Sequence, residues 1–221
     1  MSLRSRVLAA LGTVYDPELD EPITALRFVA SCEVADSGAV DVRLRLPTPQ
    51  CAPNFAYLMA ADARAAVRAV PGVGEVSVVL EDHYTGAEIN ASVARGDGFA
   101  EAFPGETAGA LDALRALFQR KALVARQGRL LATVPDPGSA RLGELSGPDA
   151  VRCRELRRVL GIDATDDAPA FVRGDGTPVP AGELARFARM ASLTALSLET
   201  NGGMCRSLLR VRYGIEEEVA A

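Results

Sequence analysis

Among 221 residues there is no tryptophan, a single histidine and only four cysteines. None of the cysteines forms a Cys-x-x-Cys pair, which removes the usual zinc ribbons and fingers. Long apolar runs are also missing, and nothing approaches the roughly 20 residues needed to span a bilayer. Excess positive charge is absent: 24 Lys and Arg face 29 Asp and Glu, a net charge of −5. Because the arginines are interspersed with acids, nucleic-acid binding has no electrostatic support. The opening MSLRSRVLAALG lacks a long apolar core and a cleavage site, so it reads as an amphipathic helix and not a secretory leader. The expected compartment is then the reducing cytoplasm, where scattered cysteines stay as thiols. What is present in quantity is apolar residue content, 48%, enough for one large or two small domains with a real core.

The most informative stretch is Leu44 to Met59, LRLPTPQCAPNFAYLM. A strand is expected to end at Leu46, a proline-rich turn to follow, and a helix to begin at Cys51. The first turn of a helix carries unpaired backbone N–H groups and the positive end of its dipole. A thiol there ionises more readily, and the thiolate is the form that attacks electrophiles or binds soft metals. Pro47, Pro49 and Pro53 stiffen the approach. The alternative reading makes Cys51 a small buried apolar residue.

The flanking chain alternates helical and extended patterns. Ser2 is placed to cap a helix with Leu3, Val7, Leu8, Leu11 and Val14 on one face. YDPELDEP follows, in which Pro17 forces Asp16 out of helical geometry and Glu18 and Asp20 complete a turn expected to be solvated. Phe28–Val34 and Val40–Leu46 alternate around Asp36-Ser37-Gly38 and predict a hairpin, with Cys32 on the core face. Phe55, Leu58, Met59, Ala66 and Val70 predict a helix that stops at Pro71-Gly72, and Val76, Val78 and Leu80 a third strand. Gly72-Val73-Gly74 precedes that strand and so is no dinucleotide fingerprint. An irregular segment is expected from Asp82 to about Gly98. Within it His83, a lone histidine, reads as structural more readily than as a ligand.

This order of elements, with Asp16-Pro17-Glu18-Leu19, the Phe28–Leu46 hairpin, Thr48, Cys51, Pro53 and PGVGEVSVVL at 71–80, resembles the PaaD/SufT-like iron–sulfur cluster assembly domain. The resemblance covers roughly the first 90 residues. It implies a small domain that matures or delivers iron–sulfur clusters, with Cys51 as the functional thiol and Asp16 and Thr48 lining its surroundings. DHYTGAEIN, after the third strand, departs from the pattern, so no role is carried to His83 or Tyr84.

The fold expected overall is α+β: an N-terminal α-β-β-α-β domain over residues 1–95, and a second α+β region over 106–221. Ala91 to Gly105, with glycines and a proline, reads as the linker. In the second region a helix with Leu111, Leu114, Leu117 and Phe118 is expected from a cap at Thr107. LVARQGRLLATV is broken by Gly128 into strands or a helix end, and Asp149–Leu160 is a helix with Cys153 in the core. Phe171 to Val179 forms a small hairpin, whose tip accounts for the Arg173-Gly174-Asp175 triplet. Thr194–Leu198 reads as a strand, Asn201-Gly202-Gly203 as a tight loop, and Cys205 as the start of a helix. That setting would lower the pKa of Cys205 as for Cys51; the alternative is a plain turn with Cys205 packed inward.

Three functions fit. The first is a carrier in which Cys51 holds a transient iron–sulfur cluster, with Cys205, Asp16, a second protomer of a homodimer or a small thiol supplying the remaining ligands. Its partners would be a client apo-metalloprotein and other cluster-assembly proteins, the second region recognising the client. The second is a metal-free adaptor for a client such as a multicomponent oxygenase. The third is a thiol-dependent enzyme, for which His83 is the available base.

Overall fold

A computed structural model describes residues 1–105 and 108–215 of the chain. The chain divides into two compact units, Met1–Asp112 with Asn201–Ala221, and Ala113–Thr200.

In the first unit the capped helix forms as expected: α1 (Leu3–Leu11) begins at Ser2, whose hydroxyl accepts the Ser5 N–H. The following acidic turn is not solvated. Tyr15–Asp16 (β1) pairs antiparallel with Glu21–Pro22 (β2), and the turn between them is folded inward, leaving Asp16 7% and Asp20 4% exposed. Alternation then sets the main sheet. Strands β3 (Val29–Val34) and β4 (Val40–Arg45) pair antiparallel, with an irregularity between Val29 and Ser31. Gly38 at the hairpin tip has φ +83°, and a Cβ there would lie 2.7 Å from the Gly72 carbonyl oxygen, so only glycine fits. Helix α2 (Pro53–Arg68) crosses over to β5 (Val76–Glu81), which pairs parallel with β4. Sheet order is β3-β4-β5. Helix α1 packs on β3 and α2, and α2 packs on β5. Phe28, Val42, Leu44, Leu58 and Leu80 are all buried in the resulting core, as is Cys32.

Beyond β5 the expectation of irregular chain and a linker is overturned. Gly86–Arg95 forms a helix, α3, which buries Ile89, Ser92 and Val93 and stops at Gly96, φ +79°. Phe99–Ala102 forms a further helical turn, α4. Phe99 stacks against Tyr57 (centroids 5.3 Å apart) and Phe103 (4.8 Å), so this stretch belongs to the core. Ile89 and Val93, four apart, are the apolar pair that defines the helix face; the glycines that suggested a linker stand at its end.

The second unit is mainly helical, with β pairing confined among the described residues to the isolated bridges Arg141–Pro169 and Val172–Pro178. Helix α5 (Ala108–Leu131) runs straight through Gly128, where strands were expected. A Cβ on Gly128 would lie 2.8 Å from the Ala191 carbonyl carbon, so this glycine serves close helix packing and not a chain break. The expected Thr107 cap lies outside the described residues. Helix α6 (Pro148–Val159) buries Cys153 completely, as expected. The Phe171–Val179 turn also forms, closed by an Arg173 N–H donated to the Thr177 carbonyl (2.8 Å). Finally, Leu184–Tyr213 is one long helix, α7. The strand expected at Thr194–Leu198 and the loop at Asn201–Gly203 are therefore both helix. Gly202 and Gly203 each cost a helix about 1 kcal/mol, and burial of one face outweighs them. No helix among the described residues is long and apolar enough to cross a membrane.

Candidate functional site

Cys51 lies two residues before α2, in the bend that follows β4. The helix has Pro53 at its start and no side-chain cap, while Asn54 accepts its neighbour Phe55's N–H at 2.9 Å. The thiol is partly exposed and leans on the first unit's core. It is thus neither walled in nor free. The Thr48 hydroxyl stands 3.5 Å from Cys51 Sγ, placed to donate to the thiolate.

The loop is fixed from the opposite side by the segment after β5. The Thr85 N–H donates to His83 Nδ1 (3.3 Å), so the neutral ring carries its proton on Nε2. Nε2 then donates to the Cys51 carbonyl at 2.7 Å. Tyr84 N–H adds a bond to the Pro49 carbonyl (3.1 Å). His83 therefore holds the backbone of Cys51 and leaves its sulfur alone. The sequence read this histidine as structural without naming what it holds; its position two residues after β5, beside a tyrosine, was the available signal.

Asp16 sits in the buried turn, where its Oδ1 accepts the N–H groups of Glu18 (2.8 Å) and Leu19 (3.0 Å). Those bonds favour the carboxylate, but burial outweighs them and, with Glu18 and Glu21 adding repulsion, raises its pKa to about 6.

Cys205 requires a correction of setting. It does not open a helix; it lies inside α7, half-buried against the first unit's core. Without a helix terminus beneath it, its pKa is not lowered. Burial raises it to about 11, and the charges of Asp16, Cys51 and Glu18 push the same way against Arg206. Those influences place Cys205 in the electrostatic neighbourhood of Cys51 and Asp16, which the sequence assigned to opposite ends of the chain. The end of α7 is anchored there by three side chains. Arg206 pairs with Glu21 of β2. Arg212 donates to the carbonyls of Leu46 (3.4 Å) and Asp82 (3.1 Å). The Tyr213 ring lies 5.1 Å from the Arg45 guanidinium. A continuous period in the sequence marks this face: Phe187, Ala191, Ala195, Leu198, Gly202, Cys205 and Leu209 recur at three- and four-residue steps.

Among the described residues no group of three or more His, Cys, Asp or Glu side chains is arranged to hold a metal ion. The neighbourhood is instead two partly buried thiols and one buried carboxyl, with Thr48 beside the Cys51 sulfur. Burial raises the pKa of two of these groups, Asp16 and Cys205.

Residues 4–78 match the family model described as iron–sulfur cluster assembly protein. A relative, the uncharacterized protein MJ1129 of Methanocaldococcus jannaschii, is 36% identical over 90 residues, which are 41% of this chain and 93% of that protein.

Proposed function

The chain belongs to the iron–sulfur cluster assembly protein family, and on that premise we propose that it is a carrier or maturation factor holding its cargo through the Cys51 thiolate. Its role is assembly-related; the carrier step is our reading. The observation that carries it is a thiol partly open to solvent in a loop clamped on both sides, by Thr48 on the sulfur and His83 on the carbonyl. Cys51 is the leading ligand. Cys205 is the second, Asp16 the acidic neighbour, and Thr48 the hydroxyl that steadies the thiolate.

One chain then supplies too few thiolates for the four-cysteine coordination of a stable cluster. A second protomer, a client apo-metalloprotein or a small thiol completes the set, and incomplete ligation lets the cargo leave. Residues 1–95, joined by Cys205, would carry this chemistry, and the rest of residues 106–221 would recognise the client. Cys51 and Cys205 must lose protons to bind, so loading releases protons and weakens as pH falls. With both His83 nitrogens committed to the loop, transfer fits the geometry better than base-assisted thiol catalysis.

Anaerobic reconstitution with iron and sulfide tests this on wild type, Cys51→Ala and Cys205→Ala, reading visible absorption and iron per chain. Loss of colour in Cys51→Ala alone indicates a site completed from outside the chain, and loss in both indicates two converging thiols. Colour retained in Cys51→Ala, or absent from wild type, overturns the carrier reading; the latter leaves the metal-free adaptor.

A further inference from the structure

Strand β5 is an edge: no strand among the described residues pairs on its outer side. Which backbone groups face outward follows from three hydrogen bonds. The Glu75 carbonyl accepts the Val40 N–H (2.8 Å), so residue 75 and its alternates 77 and 79 face β4. Leu80 faces away, because the Asn90 side chain of α3 bonds both its N–H (2.8 Å) and its carbonyl (3.0 Å). Asn90 thus covers the edge at one end, imitating a neighbouring strand. By the same alternation Val76 and Val78 also turn their N–H and carbonyl groups outward, with no such cover.

That uncovered stretch lines a cavity of about 570 Å³, together with Arg64, Arg68, Asn90 and Glu75. Arg68 is exposed. Arg64 donates through one terminal nitrogen to the Ala94 carbonyl (3.0 Å), while its buried Nε has no partner. An unpaired edge and two cations against one acid ask for an extended, acidic occupant. The spacing agrees. Arg64 and Arg68 are four residues apart on α2, about 6 Å along the helix. Side chains on one face of an added strand repeat at about 6.6–6.8 Å.

We propose that this edge is a docking groove for an extended acidic peptide of a partner protein, which adds as a strand beside Val76–Val78. Two of its carboxylates, two residues apart, face Arg64 and Arg68. The inference goes beyond the thiol chemistry and stands without it.

The test uses the full chain and a fluorescein-labelled Gly-Thr-Glu-Val-Glu-Thr-Gly peptide, read by fluorescence polarisation. Binding should weaken about tenfold or more when both glutamates become glutamine, and likewise in Arg68→Glu, whose exposed side chain can change without disturbing the fold. N-methylation of the peptide's central residues, which removes strand donors without touching the protein, should cost as much. Added salt should weaken the acidic peptide and spare the glutamine version. Equal binding of the glutamine or N-methylated peptides overturns the proposal, as does no binding up to about 1 mM. If the chain instead doubles its mass in light scattering and Arg68→Glu abolishes this, the edge pairs with a second copy and the peptide reading fails.

Discussion

The two units are held together in different ways. The first has a continuous apolar core of sheet and helix, in which Val42, Leu44, Leu58 and Leu80 meet. The second has a smaller apolar cluster and relies on two buried polar side chains to tie loops to helices. Gln127 of α5 accepts the Val172 N–H (2.7 Å) and donates to its carbonyl (3.0 Å), standing in for a missing strand. Arg157 of α6, wholly buried, donates to the carbonyls of Pro169 (2.9 Å), Ala170 (2.6 Å) and Asp163 (3.3 Å). Burial pulls its pKa below the ordinary arginine value. Where regular strands are absent, side chains have taken over the task of satisfying backbone.

The contrast can be broken most severely at Arg157. Arg157→Ala should destabilise the second unit by about 3–5 kcal/mol, since three carbonyls lose their donor. Arg157→Met fills the volume but donates nothing; if it unfolds in urea like wild type, the polar clamp is not what holds the unit. Leu44→Ala is the counterpart in the first unit, with an expected loss of about 2–5 kcal/mol from the cavity it leaves. Hydrogen exchange should place the first loss in residues 113–200 and the second in the sheet. A spread of either loss over both units would erase the distinction.

Asp16 makes the stability of the first unit depend on pH. Its pKa in the fold, about 6, lies above the ordinary 3.8, so folding favours the protonated form. Its contribution is complete below pH 3.8 and is lost as pH rises through about 6. Relative to Asp16→Asn, the wild type should therefore gain roughly 2–3 kcal/mol as pH falls from 7 to 4. Urea melts of both proteins at each pH measure this, and a constant difference would contradict it. Gly128→Ala should cost the second unit about 1–3 kcal/mol by forcing α5 from Ala191, visible as a lower melting temperature. The smallest effect is kinetic: with its pKa at about 11, Cys205 should alkylate slowly with iodoacetamide at pH 8, its rate still rising beyond pH 9. A rate that levels off below pH 9, followed by mass spectrometry, would mean the thiol is not held in that environment.

What the sequence disclosed follows the same division. Alternation of Val40, Val42 and Leu44 and the Ser2 cap announced their elements because each burial pattern is local. So did the TPxxC junction, although the helix begins at Pro53, two residues later than the sequence suggested. The long α7 was hidden because Gly202 and Gly203 favour turns, and only packing with residues far away in sequence overrides that preference. For the same reason the approach of Cys205 to Asp16 could not be read, nor the hold of His83 on Cys51. Both depend on chain segments brought together across more than 30 positions, and no spacing rule covers such distances.

The packing of the end of α7 within the first unit sets this chain apart from its shorter relative. The archaeal relative spends 93% of its length on the 90 matched residues, which leaves no room for a helix of this kind. Whatever depends on Cys205, Arg206 and Arg212 therefore has no counterpart in that shorter protein. Removing those side chains probes what lies outside the matched portion, while removing Cys51 probes what the matched portion does.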